Sequence, residues 1–358
     1  MKNQEHNPVF EKESERRWEF MRQKSVFLVL ATLFVFSVAV VTGTATSSSA
    51  ADTVKLKVAG ISAPEYRGTK SLYTIKEEIE KKTDGRIVLD IFPANQLGDY
   101  TQVFEEIRRG TIEMGLIFLP SQFDVMLEVG SLPYLAQTGE GMQKQLSPGS
   151  YVYNIIETSL DKLGVKLLRL YGDGFIGVGA AKKPANPAAP GEDKDALIRI
   201  APLAVYKETA SDLGYRTTNI PYADTYSAIQ TGVCDGWIGG SAQINYLSFR
   251  DVIKYYIPYN CLFDQTAYIV NQKLWDSFTE QEQKIFMEAV NKQADKSFAD
   301  SEEEDLEFQA KLEEAGVEIL ALGDEERDAL AEYIRETTWP KLAEIYGKDT
   351  IEKIQESM

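Results

Sequence analysis

Two stretches, residues 85–115 and 199–240, repeat one order of elements, and this repetition constrains the fold more than any other feature of the sequence. Each contains a strand, then a helix, then the start of another strand. In the first stretch, GRIVLDIF precedes TQVFEEIRRG and MGL. Strands that alternate with helices build α/β folds with parallel sheets. Two such units predict two α/β lobes, and a cleft between lobes is where folds of this kind bind small molecules.

The N-terminal part of the chain has the layout of an export signal. Residues 26–41 form an uncharged apolar run of 16, which follows basic residues and precedes small residues suited to cleavage near position 50. A membrane span needs roughly 20 apolar residues, although an uncleaved N-terminal anchor remains the alternative. Met21 gives a compact basic-then-apolar opening and is the better start. We therefore expect residues 1–50 to be a signal peptide and the protein to be periplasmic.

Bulk composition narrows the classes of partner. The chain has 358 residues, enough for two domains of ordinary size. Its formal net charge of -17 argues against a nucleic-acid partner, because a polyanion would be repelled. The acidity is typical of a solvated surface, and monomer is the default oligomeric state.

Histidine usage argues against an enzyme. The only histidine, His6, lies within the predicted signal peptide. A processed chain without histidine cannot use Ser-His-Asp or Cys-His catalysis and lacks the commonest metal ligand. The acids Glu113, Asp224, Asp235 and Asp264 could serve acid–base chemistry, but nothing in their spacing pairs them. We expect no catalytic residue, no metal site and no cofactor; an extracytoplasmic enzyme that relies on carboxylates is the alternative.

Three local patterns give further expectations. Thr279 and Glu282 fit a capping box that starts a helix running to about Glu314. The glycines at 172, 174 and 177 match a dinucleotide-binding pattern, but no amphipathic helix follows, so a turn at a lobe boundary is the better interpretation. Cys234 and Cys261 could form a disulfide in an oxidising compartment or stay as two buried thiols.

Candidate binding residues cluster around the second repeat. Arg199 interrupts an apolar strand, ALIRIAP, where an unpaired charge is costly to desolvate. Its partner is either an internal carboxylate or a ligand carboxylate, which the planar guanidinium can bind through two parallel hydrogen bonds. Tyr222, Tyr226 and Trp237 follow. Aromatic rings at strand ends belong either to the core or to a cleft, where they stack on a ligand.

Residues 54–345 as a whole resemble the solute receptors of TRAP transporters of the DctP type. The motifs that carry the resemblance are GRIVLDIFPANQLGD, IRRGTIEMGL, SLPYL, GVKLL, RIAP, YADTYSAIQTGVCDG and IVNQKLWDSFTEQEQKIFMEAV. No single motif is decisive, and their order and spacing along the chain make the match specific.

The resemblance implies a fold and a set of partners. It implies a two-lobed α/β periplasmic-binding-protein fold (class II-like) with crossing hinge strands and a long helix spanning both lobes. We expect lobe I over residues 52–177 and 263–303, lobe II over 178–262 and 304–345, and a C-terminal tail over 346–358. Such receptors bind an organic acid, usually a carboxylate, and deliver it to TRAP membrane permease subunits.

The resemblance also assigns residues to a binding site. Arg199 occupies the position of the family's carboxylate-binding arginine, and Tyr222 that of an aromatic ligand contact. Ile176, beside Phe175, stands where many members have a second arginine, and Gly239 stands where many have an asparagine that contacts the ligand. Phe118 and Leu119 stand where some members have a polar residue.

These departures make the expected pocket more apolar. We expect a ligand-binding set of ten residues: Gly60, Tyr66, Phe118, Phe175, Ile176, Arg199, Tyr222, Tyr226, Trp237 and Gly239. The hypothesis is a monocarboxylate with an apolar or aromatic body. The alternatives are a dicarboxylate or other organic-acid receptor, and a ligand-sensing module without transport.

Overall fold

A computed structural model describes residues 53–358, so the predicted signal peptide over residues 1–50 lies outside the described residues. These residues form a nine-stranded sheet with strand order β2-β1-β3-β8-β4-β7-β5-β6, and β9 pairs with β8. The strands are β1 Val54–Gly60, β2 Ile87–Phe92, β3 Met114–Ile117, β4 Val165–Ala180, β5 Leu197–Ile200, β6 Arg216–Asn219, β7 Gly236–Ile238, β8 Tyr255–Asn271 and β9 Glu318–Ile319.

Helices cover the sheet, and three short helical segments join them. The α-helices are α1 Arg67–Lys82, α2 Tyr100–Arg109, α3 Gly139–Leu146, α4 Tyr151–Lys162, α5 Ala204–Asp212, α6 Thr225–Gln230, α7 Ala242–Ile244, α8 Gln272–Ser277, α9 Glu280–Ala299, α10 Ser301–Glu314, α11 Asp324–Tyr346 and α12 Lys348–Ser357. The short segments are two 3-10 helices, Val125–Ser131 and Tyr222–Asp224, and a π-helix, Asn245–Phe249. Between residues 53 and 358, no helix has the length and apolar character needed to cross a membrane.

Both predicted strand–helix–strand repeats are present. In the first, β1 pairs in parallel with β2 and β3; in the second, β5 pairs in parallel with β6 and β7. Helix α2 of the first repeat begins at Asp99, whose side chain accepts the amide of Thr101, and ends at Gly110 with a φ of 79°. An N-terminal acceptor and a left-handed glycine satisfy the free backbone groups at the two ends of a helix.

Two long antiparallel strands connect the parallel halves of the sheet. Strand β4 pairs with β8 from Val165 opposite Asn271 to Ala180 opposite Tyr255. Because β3 pairs with β8 and β7 pairs with β4, this central pair lies between the two repeats. The chain therefore crosses between the two halves through β4 and β8, as the expected hinge strands require.

The glycine pattern at 172, 174 and 177 lies inside β4, so the predicted turn is wrong. The strand continues because its backbone pairs with β8 throughout, with register shifts between Gly172 and Gly174 and between Ile176 and Val178. Gly174 has a φ of 112°, and a Cβ there would lie 2.9 Å from Cβ of Ser241. The glycines thus allow bulges and close packing, which is a common role of glycine inside strands.

The C-terminal third is helical, with two differences from expectation. The predicted capping box is confirmed, since Thr279 and Glu282 exchange hydrogen bonds at the start of α9. The predicted helix to Glu314 forms two segments, α9 and α10, that meet at Asp300. The last residues form the helix α12, which buries Ile351 and Ile354, where the sequence predicted only a C-terminal tail.

Cys234 and Cys261 are free thiols, and both are buried. Cys261 belongs to the largest hydrophobic cluster, whereas Cys234 belongs to a smaller cluster around Trp237. Burial raises the pKa of the Cys261 thiol to about 12, so it stays protonated at neutral pH. Of the two possibilities left open by the sequence, the structure has the pair of thiols.

Candidate functional site

A cavity of about 1050 Å³, including its open mouth, lies where the parallel strands of both halves end. Binding sites of α/β sheets lie at the carboxyl ends of the strands. Residues that follow β1 and β3 form one wall: Ile61, Ser62, Phe118 and Leu119. Residues at or after the ends of β5 and β7 form the other: Arg199, Ala201, Trp237, Gly239 and Gly240. Asp264, Gln265 and Thr266 of β8 lie between the two walls.

Arg199 is the cationic residue of this cavity. Its side chain is 4% exposed, and its Nε donates to the carbonyl oxygen of Ile220 at 2.8 Å. Burial lowers the pKa of Arg199, and the neighbouring tyrosines at 206, 100 and 222 oppose that shift. No ion pair joins Arg199 to a carboxylate within residues 53–358. The internal acid that the sequence left open as a partner is therefore not found there, and a ligand anion can supply the charge.

Aromatic rings surround Arg199 on its own wall. The guanidinium carbon lies 6.0 Å from the centroid of the Tyr222 ring, within range of a cation–π contact. The ring centroids of Tyr222 and Trp237 are 6.1 Å apart, and those of Trp237 and Phe249 are 4.3 Å apart. The indole Nε1 of Trp237 donates to Asn245 Oδ1 at 3.0 Å, which fixes the ring. These rings give the carboxylate subsite an apolar surface.

Gly239 has a specific packing role beside that aromatic group. Its φ is 151°, and a Cβ at this position would lie 2.7 Å from Cζ3 of Trp237. A residue with a side chain would therefore push on the indole. The sequence places glycine where the resemblance leads one to expect an amide side chain, and the Trp237 ring lies against that position.

The opposite wall is also largely apolar. Tyr100 and Phe118 form an edge-to-face pair with ring centroids 6.0 Å apart. Leu119 and Leu127 extend this surface. Edge-to-face aromatic pairs fill a wall with rigid apolar area. The cavity can thus enclose an apolar group between two aromatic surfaces.

The polar residues between the walls carry unsatisfied acceptors. Asp264 is 3% exposed, and its buried Oδ2 has no hydrogen-bond partner within residues 53–358. Burial and the nearby Asp173 raise the pKa of Asp264 well above its usual value. Gln265 donates weakly to Ser131 Oγ at 3.4 Å, whereas its buried Oε1 also lacks a partner in the described chain.

Glu128 is a third acid at the cavity, and it has partners of its own. Its Oε1 accepts the hydroxyl of Tyr346. Burial raises the pKa of Glu128, and hydrogen bonds from Tyr346, Ser121 and the Ala204 amide oppose this shift. Glu128 therefore links the 3-10 helix Val125–Ser131 to α11 and to the start of α5.

The cavity contains five of the ten predicted binding residues: Phe118, Arg199, Tyr222, Trp237 and Gly239. Gly60 and Tyr66 line a smaller neighbouring recess instead. There the Tyr66 hydroxyl donates to Asp173 Oδ1 at 2.9 Å. Tyr66 is thus engaged by an internal acid.

The other three predicted residues lie away from the cavity. Phe175 packs edge-to-face on Phe263 in the core, with ring centroids 5.0 Å apart. Ile176 has no exposed surface, because its β4 position is covered on both faces of the sheet. Tyr226 is 37% exposed on α6. The family resemblance suggested Ile176, beside Phe175, and its place in the second repeat suggested Tyr226. Strand and helix geometry turn these side chains elsewhere.

Four cavity residues were not predicted from the sequence: Glu128, Tyr206, Asp264 and Gln265. A signal for two of them was present: Asp264 and Gln265 interrupt β8, whose neighbouring residues are apolar. A polar group in a buried strand requires a partner or a function, as for Arg199. Glu128 and Tyr206 come from helical segments and carried no such signal.

The sequence and the fold were compared with known proteins. The sequence model of the family DctP, described as "Bacterial extracellular solute-binding protein, family 7", matches residues 58–345. The C4-dicarboxylate-binding periplasmic protein DctP of Rhodobacter capsulatus is 24% identical over 312 residues, which are 85% of this chain and 91% of that protein.

Two solved structures share the fold. One is a TRAP periplasmic solute-binding protein from Desulfovibrio salexigens with bound orotic acid, with a TM-score of 0.75 and 21% identity, covering 85% of this chain and 97% of that one. The other, from Haemophilus influenzae with bound L-gulonate, has a TM-score of 0.75 and 23% identity, covering 86% of this chain and 100% of that one. The α/β fold of the class II periplasmic-binding-protein type is confirmed.

Proposed function

Since the chain belongs to the DctP family of bacterial extracellular solute-binding proteins, we propose that it is the extracytoplasmic receptor of a TRAP transporter, which binds an organic acid and delivers it to the membrane permease subunits. A family of solute-binding proteins also agrees with the expectation of a receptor rather than an enzyme. The processed receptor acts in the periplasm, where the predicted signal peptide would direct it.

The observation that carries the proposal is the state of Arg199. A guanidinium that is 4% exposed, without an ion pair in the described chain, opens onto a cavity between two aromatic walls. A buried charge is stable only when an opposite charge or hydrogen bonds compensate it. A ligand carboxylate satisfies both needs through the planar fork.

The ligands of the relatives support a carboxylate. The Rhodobacter capsulatus protein is named for C4-dicarboxylates, and the two solved structures hold orotic acid and L-gulonate. Each of these compounds carries at least one carboxyl group. The shared chemistry is therefore an organic anion.

We further propose that the ligand has a single carboxylate. Among the described residues lining the cavity, Arg199 is the sole cation, whereas Asp99, Glu128 and Asp264 are acidic residues. A second ligand carboxylate would face these acids without a cation of its own. Two carboxylates close together in a desolvated site repel each other. The cavity therefore favours a monocarboxylate over a C4-dicarboxylate.

The body of the ligand is proposed to be apolar or aromatic. Tyr222 and Trp237 line one wall, and Tyr100 and Phe118 line the other. Rings on both sides can enclose a flat apolar group, and the area removed from water favours binding by about 25 cal/mol per Å². The aromatic pairs support an aryl acid or an acid derived from an amino acid.

Binding is proposed to be coupled to closure of two lobes. We propose the lobe boundaries expected from the sequence, with residues 52–177 and 263–303 in lobe I and 178–262 and 304–345 in lobe II. A ligand that contacts both lobes binds the closed form better and so shifts the population toward it. Closure excludes water, which strengthens the interaction between the carboxylate and Arg199.

Titration calorimetry with three acids tests this function. The panel is 3-phenylpropanoate, succinate and the sialic acid N-acetylneuraminate. We expect 3-phenylpropanoate to bind most tightly. Tight binding of succinate without binding of the aryl acid would overturn the proposed ligand class and leave the receptor function. Failure of all carboxylic acids in a wider thermal-shift screen would overturn the receptor function itself.

A further inference from the structure

Two buried acceptor atoms between the walls are not needed to bind a carboxylate at Arg199. Asp264 Oδ2 and Gln265 Oε1 are both buried, and neither has a hydrogen-bond partner within residues 53–358. Both residues line the same cavity as Arg199. A buried acceptor without a donor is destabilising, so this pair from neighbouring residues requires an explanation.

Three donor groups on or near these residues are engaged elsewhere. The Thr266 hydroxyl donates to Asp173 Oδ2 at 2.9 Å, and the Tyr66 hydroxyl donates to Asp173 Oδ1 at 2.9 Å. The Gln265 amide nitrogen points to Ser131 Oγ at 3.4 Å, which leaves its Oε1 without a donor. These donors therefore satisfy Asp173 and Ser131 rather than the two free oxygens.

Glu128 provides a contrast in the same cavity. The Tyr346 hydroxyl donates to its Oε1, although its buried Oε2 also lacks a partner within residues 53–358. It is held as a structural link, whereas Asp264 is 3% exposed and lacks a side-chain donor in the described chain. Of the two acids, Asp264 is thus the one without a side-chain donor, and its Oδ2 is available to a ligand.

We infer that Asp264, assisted by Gln265, forms a second polar subsite that binds a hydrogen-bond donor on the ligand, separate from the Arg199 subsite. The inference rests on the proposed function and deepens it. The ligand class becomes a monocarboxylate that also carries a hydroxyl or an ammonium group. Both groups supply the missing N–H or O–H, and a neutral hydroxyl and a cationic ammonium differ in the charge they demand of Asp264.

Matched acids with one carbon skeleton test the subsite. Calorimetry compares 3-phenylpropanoate, which has no donor on its body, with phenyllactate, phenylalanine and 3-(4-hydroxyphenyl)propanoate. These carry an α-hydroxyl, an α-ammonium and a distal hydroxyl. We expect at least one of the three to bind about tenfold tighter than the parent acid, the discrimination of one good hydrogen bond in a desolvated site.

Two variants assign that preference to the residue. Asp264→Leu removes both carboxyl oxygens. In this variant the affinities of the donor-bearing acid and of 3-phenylpropanoate should differ by no more than about threefold. In Asp264→Asn, a preference for a hydroxyl should survive, because an amide can still accept, whereas a preference for an ammonium should fall with the charge. If Asp264→Leu does not fold, the comparison of the ligands on the wild-type protein still tests the subsite.

Each outcome decides one proposal. Equal affinities across the series, or a preference that persists in Asp264→Leu, overturn the donor subsite and leave the aryl-acid receptor intact. If no aryl acid binds, the proposed aromatic body fails. The comparison is then made with 3-methylbutanoate, 2-hydroxy-3-methylbutanoate and valine, and the absence of a donor preference in that set overturns the subsite.

Discussion

The guanidinium carbon of Arg199 lies 6.0 Å from the centroid of the Tyr222 ring, so the cation and the aromatic wall belong to one subsite. The remaining capacity of the guanidinium faces the cavity, since Nε alone donates to a backbone carbonyl, that of Ile220. A carboxylate bound there would meet a charge and a ring at the same time.

Replacing Arg199 tests this arrangement most directly. We expect Arg199→Ala to weaken binding of 3-phenylpropanoate by at least about 2–3 kcal/mol, the cost of losing one partner of a desolvated charge pair. Arg199→Lys should recover only part of the loss, because an ammonium lacks the planar fork. Calorimetry measures both. Arg216→Ala is the control, since its side chain is exposed at the edge strand β6; an unchanged affinity in Arg199→Ala would remove this residue from the site.

Gly239 offers a test of how tightly the Trp237 ring is held. A Cβ at position 239 would lie 2.7 Å from Cζ3 of Trp237, whereas a Cβ at Gly232 has no atom within 4 Å. Both glycines have positive φ, but the 151° of Gly239 lies in a region essentially limited to glycine, so a larger backbone penalty adds to the effect of the contact. We expect Gly239→Ala to lower the free energy of unfolding by about 1–3 kcal/mol more than Gly232→Ala, as for an overpacked core. Near-ultraviolet circular dichroism should change in Gly239→Ala; equal effects of the two variants would contradict the contact.

Much of the architecture follows from local sequence patterns. The capping box at Thr279 and Glu282 and the caps of α2 at Asp99 and Gly110 are short-range features, and each starts or ends a helix. Arg199 was detectable because a charge in an apolar strand is rare. These signals lie within a few residues of the structure they specify.

The remaining features depend on contacts between distant parts of the chain. Strand β4 runs through its glycines because β8, some ninety residues later, pairs with it. Asp264 reaches the cavity through the same pairing, opposite Gly174. Register and bulges of this kind are set by the whole sheet. Ile176, which the family resemblance placed at the site, lies outside the cavity for that reason, since a matching position does not show which way a bulged strand turns a side chain.

Tyr346 and Glu128 give a prediction for stability. The Tyr346 hydroxyl donates to the buried Glu128 carboxyl, whose pKa is raised by burial. Tyr346→Phe removes this donor and should lower the free energy of unfolding by about 1–3 kcal/mol at pH 8. The loss should be smaller at pH 5 than at pH 8, because the raised pKa of Glu128 makes more of its carboxyl neutral as the pH falls, which reduces the buried charge. Urea unfolding at both pH values measures this, with Tyr73→Phe on the surface of α1 as control; a loss independent of pH would assign the effect to packing.

Asp305 gives a prediction for the pH dependence of folding. Its carboxyl accepts the Phe175 amide at 3.0 Å and the Ala242 amide at 3.4 Å, and burial raises its pKa to about 7. The folded state therefore keeps a proton that the unfolded chain releases near pH 4. Between these two pH values the folded state binds more protons than the unfolded chain. The free energy of unfolding therefore falls as pH rises from about 4 to 7, and above pH 7 Asp305 adds no further change.

We expect Asp305→Asn to flatten this decline, because an amide does not titrate. The difference between the slopes of the two proteins from pH 5 to pH 7 should approach about 1.4 kcal/mol per pH unit, the linkage value for one proton. Asp173, whose pKa is raised by burial to about 6, contributes the same sign to both proteins and cancels in the comparison. Urea unfolding across this range measures the slopes, with Asp161→Asn on the exposed face of α4 as control. If the slope of Asp305→Asn equals that of the wild type, Asp305 is already ionised in the folded state, and the hydrogen bonds from Phe175 and Ala242 would be the reason, since they favour the carboxylate.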